Sequence, residues 1–555
     1  MDWREGNIFR DAMQDPECSG GVRDQRMCGH VPRGNRDIPE RCPRMRNENA
    51  EAAGKANRRN PAAGTTGKSD GDIVPKKPAN KGAQPPAEPM EGRSPTKRNP
   101  QEEATVRVQD RDAVSNRLAR VRQRAEADKT EVFVNLFSLM KVPLLREAFY
   151  SLKRNASPGL DGVSWYQYER KLEARLPELQ DELHKGSYRA TPAKRTYREK
   201  PDGRKRPLGV QAVEDKVVQM ACVKILNEVF EPIFCGFSYG SRPGRRPHDA
   251  LDALHEGIIR RKVNWILDCD IEGFFDNLPH DELMEIVGKR VADPRMLRLL
   301  RKWLRVGWVE DGRRHPGTVG TPQGSVISPL LANIFLSVVM DKWVSAWRRR
   351  HAKGDMTAVR YVDDAVFGFQ YESEAREFME ELRKRLKEYG LNLHPDKTRL
   401  IEFGRFAESN RKRRGKGKPE TFDFLGFKHI CGKTRRGKFK VRRVTIAKRM
   451  NRKLAEIKQE LRERMHAPLS ATGKWLASVI RGAVRYYAVP GNMASMRAFY
   501  TAIGRMWLQS IRRRSQKAKE RWTWERFYRL QTQWLPRPRI CQPYPSQRFD
   551  AIHSR

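Results

Sequence analysis

The sequence predicts an α+β protein on three observations. The apolar run Trp265-Ile266-Leu267-Asp268-Cys269-Asp270-Ile271 precedes a Gly-Phe-Phe turn. It reads as a strand that delivers Asp270 at its end. Two runs, Thr357 to Arg360 and Ala365 to Phe369, flank Tyr361-Val362-Asp363-Asp364. They read as a hairpin with the acids at its tip. Long stretches with a 3.6-residue apolar period surround these strands and read as helices.

In chain order, residues 1–125 are poor in large apolar side chains and rich in Pro, Gly, Asn, Arg and Lys, most extremely from Pro75 to Pro100. Such a stretch cannot bury enough surface to fold alone, and a disordered basic extension is predicted. Cys18, Cys28, His30 and Cys42 match no tight zinc spacing and read as chance. A helical period runs from Val132 to Lys153, with Pro143 dividing it into two shorter helices. Ser157 to Val163 is turn-rich. Tyr188 to Val213 reads as a basic hairpin with Gly203 at its tip, and Asp215 to Ile233 as an amphipathic helix. Gly320 to Asn333 is a Gly/Pro loop leading into a helix over Leu330 to Val339, and Glu374 to Tyr389 is a charged amphipathic helix. Phe422 to Phe427 reads as a strand pair. Thr445 to Arg514 is helical by pattern, with Ile446, Met450, Leu454, Ile457 and Leu461 on one stripe.

Charge narrows the function classes. Of 555 residues, 111 are Lys or Arg against 68 acids, a net charge of +43. That excess predicts a polyanionic partner and salt-sensitive binding. Basic residues concentrate in Arg411 to Lys418 and Lys433 to Arg443. No apolar run approaches the ~20 residues of a spanning helix, so no membrane partner is expected. The N-terminus lacks the apolar core of a signal peptide. The eight cysteines form no Cys-x-x-Cys pair, which favours reduced thiols in a cytoplasm over a disulfide framework.

The acids suggest the chemistry. A lone Asp-Asp turn is commonly just solvated. Together with a strand-end acid, however, Asp363 and Asp364 can clamp two divalent metals about 3.5–4 Å apart, the apparatus of in-line phosphoryl transfer. Asp268 and Asp276 read as surface or capping acids.

The order of strand Asp270, loop Thr321-Pro322-Gln323-Gly324 and hairpin Tyr361-Val362-Asp363-Asp364 resembles the palm motifs of reverse transcriptases. Arg485-Tyr486-Tyr487-Ala488-Val489-Pro490-Gly491-Asn492 and Pro538-Arg539-Ile540-Cys541-Gln542-Pro543-Tyr544-Pro545 resemble the wording of the group II intron-encoded reverse transcriptase/maturase family. The likeness runs from roughly Met90 to Phe549. It implies a right-hand polymerase with helices before the fingers over 126–180, fingers and palm over 181–430, and a helical thumb and maturase region over 431–555. The implied reaction adds dNTPs to a DNA primer 3′-OH on an RNA template. The implied second role is binding group II intron RNA to assist splicing and mobility in a bacterial cytoplasm.

The resemblance also implies residue roles. Asp270, Asp363 and Asp364, with the carbonyl of Ile271, would hold two Mg²⁺, Mn²⁺ substituting. Lys397 would protonate leaving pyrophosphate. Lys200 and Arg206 would grip the triphosphate, Phe275 would lie under the sugar and select dNTPs, and Gln323 would contact the nascent pair. Arg242, Arg245, Arg411, Arg413, Arg414, Arg435, Arg436, Tyr486, Tyr487 and Arg513 would touch nucleic acid, whereas Trp507, Trp522 and Trp524 read as core. Family members commonly begin near a stretch like that at Met90, so residues 1–89 are an upstream extension or a misassigned start. Nothing after the last motif resembles the family's HNH endonuclease, and DNA nicking is not expected. Val362 stands where the family has alanine, Val210-Gln211 where it has Ile-Pro, and Gln542 where histidine is common. These departures leave open a domesticated enzyme of repair or phage defence beside the intron enzyme. A non-catalytic splicing cofactor is the third alternative.

Overall fold

From Pro100 the chain is helical. In the computed structural model, residues 100–199 and 205–552 are described. Helix α1 (Pro100–Ala127) lays Val114, Leu118, Val121 and the fully buried Ala125 on the main core. The extension expected to reach residue 125 is therefore corrected over 100–125; its earlier part lies outside the described residues. Pro143 does not split a helix. It sits in the first turn of α2 (Val142–Ser151), where a missing N–H costs nothing, and only a short 3₁₀ turn, Phe137–Leu139, precedes it. Ser164 and Gln167 cap α3 (Trp165–Glu169) reciprocally, and α4 (Leu172–Lys185) ends on left-handed Gly186.

Strands β1 (Ala193–Glu199) and β2 (Lys205–Val210) pair antiparallel, as the basic hairpin predicts. The tip residues 200–204, Lys200 and Gly203 among them, lie outside the described residues. Helices α5 (Val213–Phe230) and α6 (Pro247–Arg260) follow, then β3 (Trp265–Cys269), α7 (His280–Gly288) and α8 (Pro294–Arg305). Strands β4 (Trp308–Glu310) and β5 (Arg313–His315) extend the hairpin to a sheet ordered β2-β1-β4-β5.

Helix α9 (Ser328–Leu336), a π-helical turn (Ser337–Asp341) and α10 (Lys342–Arg350) form one rod. This rod corrects the expectation about apolar runs. Its 23 residues are long and apolar enough to cross a membrane, but the most apolar window is 72% buried inside the protein. The rod is a core helix here.

Strands β6 (Met356–Tyr361) and β7 (Asp364–Phe369), helix α11 (Glu372–Lys387) and β8 (Arg399–Glu402) complete the central sheet, antiparallel in the order β6-β7-β3-β8. After α12 (Ala407–Arg413), a third sheet orders β11-β10-β9 from β9 (Phe422–Phe424), β10 (Phe427–Lys433) and β11 (Phe439–Thr445). The expected boundaries at 180/181 and 430/431 fall inside α4 and β10 and thus off the element ends. Helices α13 (Ala447–Glu463), α14 (Leu469–Tyr487) and α15 (Met493–Arg512) pack around a separate core holding the fully buried Trp507. Then come α16 (Gln516–Arg521), α17 (Trp524–Trp534) and α18 (Pro545–Ile552). The last packs back on α6, where buried Asp252 pairs with both Arg443 (2.8 Å) and Arg548.

Candidate active site

Antiparallel pairing brings the three predicted acids together. Asp268 lies opposite Val366 and Cys269 opposite Ala365, so the end of β3 meets the start of β7. Asp270 follows Cys269 directly, and its backbone carbonyl accepts from the His394 amide at 2.8 Å. In the hairpin, Tyr361 pairs with Asp364, leaving Val362 and Asp363 as the turn. Val362 has φ +59°, which is rare for a β-branched residue. Such a conformation costs on the order of 1–3 kcal/mol and persists only where its surroundings impose it.

The carboxylates strain one another. Burial raises the Asp363 carboxyl, and the nearby Asp270 adds to the shift. Asp364 is pushed up to about 7, by desolvation first and then by Asp363, Asp270 and Asp268. Asp268 rises to about 6 through burial, against the pull of Arg399 at 3.7 Å. This corrects the reading of Asp268 as a plain surface or capping acid: it belongs to the same charge cluster. A concentration of like-charged, partly dehydrated carboxylates is a fit for divalent cations, whose oxygen-ligand preference it matches.

Other predicted residues join the cluster. The Lys397 ammonium forms an ion pair with the Asp270 carboxylate. Gln323 links two elements: its side-chain oxygen accepts from Arg206 and its backbone oxygen from the Gly209 amide at 2.7 Å. Phe275 packs edge-on against Phe274, 5.4 Å between centroids, while its carbonyl accepts from the Thr321 amide at 2.7 Å. The side chain of Ile271 is buried, and a bridge to Leu393 pins its backbone. Lys200 lies outside the described residues.

A cleft of about 710 Å³ opens beside Arg206, lined also by Arg198, Arg449, Arg452, Lys453 and Tyr487. Arg449 was not among the sequence candidates, yet its charge acts on Asp364. Its only signal was a place on the polar side of a predicted helix.

Several predicted nucleic-acid contacts are engaged within the protein. Arg242 is buried, with a bidentate ion pair to Glu231 (2.7 Å) and a bond to the Ser238 carbonyl (2.6 Å). Arg245 is half-buried over Tyr239 and donates to the Gly236 carbonyl at 2.5 Å. The expectation that Arg242 touches template phosphates is corrected to a structural role, whereas Arg245 stays partly open to solvent. Tyr486 donates to the Leu425 carbonyl at 2.7 Å and stacks on Phe427, so it too is core. Arg411 pairs with Glu420 at 3.0 Å, Arg413 donates to Asn410 at 2.6 Å, and Arg414 pairs with the buried Glu402. Arg435 and Arg436, on the β10–β11 turn, and Arg513 at the end of α15 are exposed.

Acids gathered at the end of an antiparallel sheet, close enough to the cleft's Arg206 and Arg449 for those charges to act on Asp363 and Asp364, define a site suited to phosphoryl transfer on a polyanion. Comparison with known proteins narrows the class. Residues 198–429 match the family model described as reverse transcriptase (RNA-dependent DNA polymerase). Protein YkfC of Escherichia coli (strain K12) is 31% identical over 325 residues, 52% of this chain and 80% of that protein. Group II intron-encoded protein LtrA of Lactococcus lactis subsp. cremoris is 32% identical over 41% of this chain and 38% of its own length. An uncharacterized 91 kDa protein in the cob intron of Schizosaccharomyces pombe is 36% identical over 32% of this chain and 21% of its own length. The chain belongs to the reverse transcriptase family, RNA-dependent DNA polymerases, and its relatives include a group II intron-encoded protein.

Proposed function

We propose that this protein extends a DNA primer 3′-OH with dNTPs on an RNA template, and binds group II intron RNA as a maturase in a bacterial cytoplasm. The observation that supports it best is the convergence of Asp270, Asp363 and Asp364 beside the basic cleft. In this reading the central sheet is the palm, β1 and β2 are the fingers, and α13 to α15 are the thumb.

Two Mg²⁺ held by Asp270, Asp363, Asp364 and the Ile271 carbonyl would lower the pKa of the primer hydroxyl and neutralise the departing pyrophosphate. The chain's own groups bind and orient. Arg206, held by Gln323, presents its fork to the triphosphate. Phe275, fixed against Phe274, lies under the sugar and clashes with a 2′-OH. Lys397 rests on Asp270 until substrate arrives, then protonates the leaving group from Nζ. Arg449, Arg452 and Lys453 line the path of the duplex backbone. The exposed Arg435, Arg436 and Arg513 offer phosphate contacts to RNA.

The test is primer extension on an RNA template with Mg²⁺ and dNTPs, comparing wild type with Asp363→Asn and following intron splicing in the same preparations. Extension lost in the variant with splicing retained is the expected outcome. A wild type that splices but never extends would leave only an RNA-binding cofactor.

A further inference from the structure

The turn that presents Asp363 and Asp364 is held from behind by a buried polar clamp. Arg360, on β6, is the central residue, and it is completely buried, as are Asp341 and Asn333. Its guanidinium donates from Nε and Nη2 to the two carboxylate oxygens of Asp341, at 2.7 and 2.5 Å. Its Nη1 donates both to the Asn333 side-chain oxygen at 2.9 Å and to the Val362 carbonyl at 2.7 Å. Asn333 then donates to the Gly240 carbonyl at 2.7 Å. Gly240 lies directly behind the turn: a Cβ there would meet the Val362 nitrogen at 2.4 Å and its Cγ2 at 2.6 Å. Asp341 ends the π-helical turn between α9 and α10, an irregularity often found at functional sites.

Stability alone is a poor reason for this arrangement. A buried ion pair commonly gains little over apolar residues of the same volume, because both charges must be dehydrated. What the fork does gain is geometry. One side chain ties the rod α9–α10 to the carbonyl of the residue whose backbone is left-handed against its own preference. The carboxylates that follow Val362 inherit their direction from that turn.

We propose that Arg360, clamped by Asp341 and Asn333, is a positioning residue that aims Asp363 and Asp364 at the metal site. The proposal rests on the metal-site reading above. It assigns a role in metal affinity to three residues that touch neither metal nor substrate.

The test is direct binding of Mn²⁺ to the full chain without substrate, following loss of the free-ion paramagnetic resonance signal. Thermal unfolding and Mg²⁺-dependent primer extension are read alongside. Arg360→Lys keeps the charge beside Asp341 but cannot bridge to Asn333 and Val362 together. The double variant Arg360→Met/Asp341→Leu removes both charges and leaves none unpaired, so it stays informative where the single variant does not fold. Mn²⁺ affinity about tenfold weaker in a variant that unfolds cooperatively is expected, with the same shift in the Mg²⁺ concentration for half-maximal extension. Unchanged Mn²⁺ affinity in a folded variant would overturn the proposal. Unfolding of both variants would overturn it as well, since the contacts would then serve the fold alone. If wild type bound Mn²⁺ no better than Asp363→Asn, the metal-site reading itself would fail, and the clamp would have nothing to aim.

Discussion

Asp364→Asn should make the metal-free protein more stable at pH 8 while abolishing extension. The Asp364 carboxyl is raised from an ordinary 3.8 to about 7 by desolvation and by the charges of Asp363, Asp270 and Asp268. An unfolded chain releases that proton near pH 4, whereas the folded one holds it to about 7. Stability is therefore lost as pH rises between these values and stays low above them. The difference between 3.8 and about 7 would be worth about 4 kcal/mol in a sealed interior, at ~1.36 kcal/mol for each tenfold change in proton affinity. Asp364 is crowded by protein atoms yet exposed to solvent, and water there screens the repulsion. About 1–2 kcal/mol is the expected remainder, or roughly 1–4 °C in Tm for a chain of this size. Thermal unfolding in EDTA at pH 4 to 8 is the assay. The variant should gain over wild type as pH rises, coincide with it near pH 4, and respond less to added Mg²⁺. A variant no more stable than wild type at pH 8 without metal would refute the claim that the carboxylates repel one another in the folded state.

Three further outcomes follow from the same geometry. Phe275→Ala should raise ribonucleotide incorporation relative to dNTPs at least tenfold, read from rNTP and dNTP extension on one template. Arg206→Ala should raise the KM for dNTPs about tenfold and change RNA binding little, because its fork faces the cleft through Gln323. Glu231→Ala should cost about 3–5 kcal/mol of stability, measured by denaturant unfolding, since it strands the buried Arg242; folded variant should bind template RNA as wild type does.

How much was legible in the sequence depended on whether a feature was local. Asp270 and the Asp363–Asp364 pair stood out because a strand end and a tight turn are written in neighbouring residues. The basic hairpin over β1 and β2 was legible from its turn residues and the amphipathic helices α11 and α13 from a period of 3.6, whereas α5, expected to be amphipathic, has no exposed residue and is a core helix. The charge excess likewise predicted a polyanionic partner without reference to any fold. What a charged side chain does was not local. Arg242 and Arg245 look like phosphate ligands in a Gly-rich loop, but the turn after α5 carries Glu231 to within 2.7 Å of Arg242. Tyr486 looks like a base-stacking residue beside an arginine, but it donates to Leu425 in the β9–β10 turn and stacks on Phe427 of β10. Asp268 shares a face with Asp270 by strand alternation but comes near Asp364 only through the register of β3 against β7, and Arg360 acquires its partners only when the α9–α10 rod crosses behind the hairpin. Sequence alone thus determined the residue types that do chemistry and the short elements that present them. The tertiary structure decided which cations remain free for nucleic acid and which are consumed inside, because an ion pair forms with whatever the fold brings within reach, however far apart in the chain.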